Sequence, residues 1–339
     1  LENRIDALEL ATSQSQPPRD EGPSGAEGLQ GPQGEVGPQG ESGRQSISCS
    51  ATLLWSLPEC KSITVQVGGN PVAMVFDGSH IWVVNYSSDD SLAKIDPSNG
   101  TIVDVFSIGS RLTALTFDGE NIWVANREGN SAMKIHVQSG QVLEDVDLGN
   151  EPAEITFDGE NIWVSVSDPR SGDSLIKIDP STNQIMATIE TGRDLSGMVF
   201  DGRSMWVANL SDNTIMKVDT SRDVITAIVY VGGGPTGLTF DGTNIWVTNY
   251  DDDTISKVDP LRHGVTDVIK VGNGPTEIAF DGTSIWVVYF EDQTVTRINP
   301  ETSETIKVAI QNDFTNAMVF DGNNIWVSNG SKDGTVVRL

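Results

Sequence analysis

The stretch FDGTNIWVTNYDDDTISKVDP, residues 240–260, holds two turn signals and two strand patterns in alternation. Asp241-Gly242 starts a tight turn, because Gly takes a positive φ and the Asp carboxylate bonds its own backbone. Ile245–Asn249 is β-branched and aromatic and reads as a strand. An acidic turn follows, then a strand from Thr254 to Val258, and Asp259-Pro260 opens the next turn. Working outward, PTGLTF (235–240) is a strand ending at Phe240, and VTDVIKVG (265–272) is a fourth strand. Proline falls only at strand boundaries, where no ladder hydrogen bond is lost.

The motif Phe-Asp-Gly-x-x-(Ile/Met)-Trp-Val recurs seven times, at Phe76, Phe117, Phe157, Phe200, Phe240, Phe280 and Phe320. The copies are 40 to 43 residues apart. Four strands in about 40 residues is the blade of a β-propeller, so the expected fold is all-β and seven-bladed. Each copy brings one tryptophan: Trp82, Trp123, Trp163, Trp206, Trp246, Trp286 and Trp326. Blades hold together by packing face on face, so one large aromatic per blade, at a fixed place, reads as core. The last copy stops after its third strand at Leu339, while Ser62–Pro71 matches a fourth strand and its exit loop. The N-terminal strand should therefore complete the last blade and seal the ring.

Upstream, residues 1–16 read as a short helix, with Leu1, Ile5 and Leu8 spaced as a coiled-coil seam. Residues 17–21 form a linker opened by Pro17 and Pro18. From 22 to 45, Gly stands at every third position, from Gly22 through Gly43. Only Gly fits the axis of three intertwined polyproline-II chains, so this period implies a collagen-like triple helix, roughly 70 Å long at about 3 Å per residue. Residues 46–61 are an apolar connector framed by Cys49 and Cys60, which in an oxidising compartment pair with each other or with another chain. Residues 62–339 are the propeller.

Lys and Arg number 21 against 48 Asp and Glu, a net charge of −27. That balance argues against nucleic acid and anionic lipid as partners. No apolar run is long enough to span a membrane.

The repeats resemble the YVTN-type propeller family of microbial surface proteins, related in style to NHL repeats. The residues that carry the likeness include FDGTNIWVTNYDDDTISKVDP (240–260) and VGNGPTEIAFDGTSIWVVYF (271–290). The Gly-x-y segment resembles bacterial or viral collagen-like stalks. The likeness implies fold and a surface location, not an activity, since propellers host many. Val166 and Tyr289 depart from the Asn that follows the second strand in other blades. Streptogramin lyases share a related seven-bladed design and use His and Glu with a divalent metal on one face. The histidines here, His80, His136 and His263, fall elsewhere, so that activity is not carried over.

Lettering the strands A to D, the D–A and B–C loops share one face, and the chain should enter from the other. On the D–A/B–C face, Arg111, Glu154, Arg193, Asp194, Glu277 and Asp313 break the repeat consensus and are ligand-binding candidates. Tyr86, Tyr250, Tyr289 and Phe290 would be stacking platforms for a glycan. The Asp and Asn residues of the B–C loops read as turn formers. A Ca²⁺ site at Asp89, Asp90, Asp251, Asp252 and Asp253 is the weaker alternative, and no other cofactor is implied.

The expected function is an extracellular structural or adhesive protein, a homotrimeric stalk presenting or polymerising propeller heads, without enzymatic activity. The alternatives are a secreted glycan-binding module and a propeller enzyme of the lyase type using Glu154 and Glu277.

Overall fold

A computed structural model describes residues 62–86, 90–168, 170, 172–290, 292, 294–309, 316–330 and 334–339. All belong to the unit Ser56–Leu339. The expected helix, linker, Gly-x-y segment and connector, with Cys49 and Cys60, lie outside the described residues.

The described residues are all-β, without a helix, and form seven four-stranded antiparallel sheets arranged as a propeller. Six sheets are consecutive in sequence, with strand A innermost and strand D at the rim. The seventh pairs Ile63–Gln66 with Thr335–Arg338, followed inward by Ile325–Asn329 and Met318–Phe320. Ile63 stands opposite Arg338 and Gln66 opposite Thr335, so the first described strand closes the last blade.

Adjacent blades are joined by apolar clusters that cross the boundary. Trp206 of blade 4 packs with Leu238, Ile245 and Val247 of blade 5. Trp326 of blade 7 packs with Ile81, Val83 and Ile95 of blade 1, and with Val65 and Val67 beside them. Six of the seven tryptophans are fully buried and Trp286 nearly so. A buried indole N–H needs an acceptor. In every blade it donates to the Asp of the Phe-Asp-Gly turn, at 2.7–2.8 Å. The other oxygen of that carboxylate closes the turn, as when Asp241 accepts the N–H groups of Thr243 and Asn244 at 2.7 and 2.6 Å.

Directly across from each Trp, on strand C, stands a cation, as in the Trp246–Lys257 pair. Lys94, Lys134, Lys177, Lys217, Lys257, Arg297 and Arg338 lie 4.9–5.9 Å from the ring centres. Five lysines continue past the ring to a carbonyl in the C–D turn of the next blade, for example Lys257 to Pro300 at 2.7 Å. Arg338 reaches Pro97 of blade 1 at 2.9 Å, so the same device spans the closure.

Candidate functional site

Strand A lines the central channel, and its path is bent by β-bulges. In blade 3 the register steps from Pro152 opposite Val166 to Ile155 opposite Val164, so Ala153 and Glu154 share one partner residue, Ser165. A bulge re-aims side chains. The Glu154 N–H that the bulge frees from the ladder donates to Ser165 Oγ at 3.0 Å. Blade 6 shifts likewise between Pro275 and Glu277.

Glu154 and Glu277 both stand three residues before the repeat phenylalanine. The other blades place Ala73, Ala114, Gly197, Gly237 and Ala317 there. The space is narrow: a Cβ on Gly237 would lie 2.7 Å from the Thr276 carbonyl oxygen. Two glutamates among small residues therefore face a cavity of about 180 Å³, bordered also by Ser196, Thr236 and Thr276. Ser196 Oγ donates to the Pro235 carbonyl at 2.8 Å, and the Thr236 and Thr248 hydroxyls lie 2.8 Å apart. Thr276 Oγ1 has no partner among the described residues.

The two carboxyls are perturbed together. Burial pushes Glu154 up to about 8, and the charge of Glu277 adds to the shift. Burial also raises Glu277, to about 7, less far because it accepts the Ile278 N–H. Near neutral pH the pair thus holds a proton, and a carboxylic acid beside a carboxylate can both donate and accept hydrogen bonds.

The D–A and B–C loops are knitted together at one face. Leu210 N–H donates to the Asp194 carbonyl at 2.9 Å and Tyr250 N–H to the Gly234 carbonyl at 2.8 Å. Blades 5 and 6 place Gly234 and Gly274 six residues before the phenylalanine, with φ of 62° and 60°. Arg111 and Asp194 stand at the same position with φ of 54° and 57°. A side chain held in the left-handed region costs energy that Gly avoids. The exposed Tyr86 phenol lies close enough to Arg111 to raise its guanidinium above the ordinary value, with the charges of Glu151 and Glu128 adding to the effect. Glu151 also pairs with Arg127 at 2.8 Å. Ser211 Oγ donates to the Asp194 carboxylate.

The other candidates separate. Arg193 is exposed, Tyr250 half-buried and Phe290 exposed. Tyr289 is not a stacking platform: it is 0% exposed, within the apolar cluster of blade 6, and burial raises its phenol. It pairs with Pro275 as the last residue of strand B, so its ring turns into the space between blades. Asp89 and Asp313 lie outside the described residues. The acidic B–C turns are engaged with backbone amides. Asp252 accepts the Gly233 N–H at 2.6 Å, Asp253 that of Gly274 at 3.0 Å, and Asp90 that of Arg111. Among the described residues no three His, Cys, Asp or Glu side chains converge as a metal site.

No protein-family model matches the chain, and no curated protein matches it.

Proposed function

We propose that the chain is a head-bearing subunit of an extracellular structural or adhesive assembly. Its propeller is of the YVTN type and is carried on a collagen-like trimeric stalk. The observation that carries this reading is the order of modules: eight consecutive Gly-x-y triplets, from Gly22 to Gly43, run towards the strand that closes a seven-bladed ring. Triple-helical Gly-x-y segments work only as trimers, so the period itself argues for three heads per stalk. Light scattering with negative-stain imaging of the full chain tests it. Particles of three times the 36.4 kDa chain, with three rings on a thin rod, are the expected result. Single rings at every concentration would overturn it.

A second reading, glycan binding by the D–A/B–C face, is favoured by one observation. The exposed Arg111 occupies a strained backbone position next to the exposed Tyr86. Strain at an exposed position points to a ligand contact. A glycan array that is silent for the full chain would sink this reading.

A further inference from the structure

We infer that strand D of blade 4, Val224–Tyr230, is a self-pairing edge through which two copies of this chain dock head to head. An edge strand presents a row of unpaired backbone groups, and natural sheets guard such edges with charge. The rim of this propeller is guarded in that way on five blades. Asp104 stands in Thr101–Ser107, Glu144, Asp145 and Asp147 in Val142–Asp147, and Glu190 in Gln184–Gly192. Asp267 and Lys270 stand in Gly264–Lys270, and Lys307 in Thr305–Ala309. The closing strand Ile63–Gln66 is uncharged but only four residues long. Val224–Tyr230 reads VITAIVY, seven residues with no charge and no proline, at the edge of its sheet. Ile228 is 58% exposed and Tyr230 77%. The acid just before the strand, Asp223, is neutralised by Lys177 at 2.9 Å.

The register follows from the backbone. Val231 N–H donates inward to the Asn213 carbonyl. Strand groups alternate with a period of two, so those of Ile228 and Tyr230 face outward. An antiparallel pairing about a two-fold axis at Val229 sets Ile228 of each copy against Tyr230 of the other, a β-branched–aromatic cross-strand pair. In a molecule of net charge −27, two copies approach with least repulsion where the rim carries no acid. The contact is short and weak for one pair of heads. Its strengthening by avidity, when three heads share a stalk, rests on the proposed trimer. A two-fold head contact joined to a three-fold stalk then gives an extended lattice rather than a closed particle.

The test is sedimentation of the full chain over a concentration series at about 150 and about 500 mM NaCl, followed by two variants. The wild type should show a concentration-dependent step that strengthens with salt as the acidic surfaces are screened. Ile228→Lys with Tyr230→Lys sets lysine against lysine and should weaken the step at least about tenfold. Ile228→Lys with Tyr230→Glu sets opposite charges across the same axis and should restore it, which a folding defect would not do. A wild type without the step, or a step that persists in the double-lysine variant, overturns the inference. The smallest species reports separately on the stalk: three chains if it forms, one if it does not.

Discussion

Glu154 and Glu277 are the residues whose protonation the fold alters most clearly, and the sign of the consequence can be worked out. Both carboxyls have folded-state values above the ordinary value of 4.5, at about 8 and about 7. Between pH 4.5 and about 8 the folded state therefore holds more protons than the unfolded chain, and stability falls as pH rises through that window. Glu154→Gln removes the charged form. It should raise the stability of the propeller by about 2 kcal/mol at pH 9, after allowing for the partial exposure of the side chain, and leave it nearly unchanged at pH 4.5. Thermal unfolding at the two pH values checks this; an equal effect at both would contradict it. Glu277→Gln should also lower the apparent pKa of Glu154, because the neighbouring charge contributes to its rise. Arg111 and Asp194 give a second prediction at this scale. Replacing either by Gly, the residue that blades 5 and 6 use there, should stabilise the fold by about 1 kcal/mol. If Arg111 serves a ligand, the same change should weaken binding, so stability and binding would move in opposite directions.

At the scale of the element, the unit is the Asp–Trp–cation stack rather than the strand. Lys257 packs its stem across Trp246 and donates to Pro300 of the next blade. Lys257→Met keeps the stem but strands that carbonyl, so it should cost about 1–3 kcal/mol in urea unfolding. Lys257→Arg should cost less than about 1 kcal/mol, since blades 6 and 7 place Arg297 and Arg338 there. The strands, the turns and the closing of the last blade were legible in the sequence because they depend on local chemistry repeated at fixed spacing. The lysine stack was not, although a basic residue follows every Trp by 11 to 14 positions. Its meaning rests on the cross-strand register, which sets Lys257 opposite Trp246. The candidate site divides in the same way. Glu154 and Glu277 stood out as departures from the consensus, but that they share one cavity follows from the ring, which sets strand A of blades 3 and 6 around the same space. Tyr289 was misread for the same reason: a residue at the end of strand B belongs to loop or core according to register alone.

At the scale of the molecule, stability depends on the ring being closed, and closure depends on one short strand. Ile63–Gln66 covers the edge of Thr335–Arg338 over four residue pairs. Val65 and Val67 are buried in the cluster that also holds Trp326 of blade 7 and Ile81 and Ile95 of blade 1. Losing this segment would open a sheet edge and uncover the boundary between the first and last blades together. Burial of the two valines alone is worth about 3–6 kcal/mol. That is a large part of the roughly 5–15 kcal/mol by which a folded domain is stable. A chain begun at residue 62 keeps the strand, and one begun at residue 68 lacks it. The first should melt in one cooperative transition and the second several degrees lower or in separate steps, as blades 1 and 7 come apart. Calorimetry of the two chains decides the matter. Equal melting temperatures would mean that the Arg338–Pro97 bond and the remaining contacts between blades 7 and 1 hold the ring without the strand.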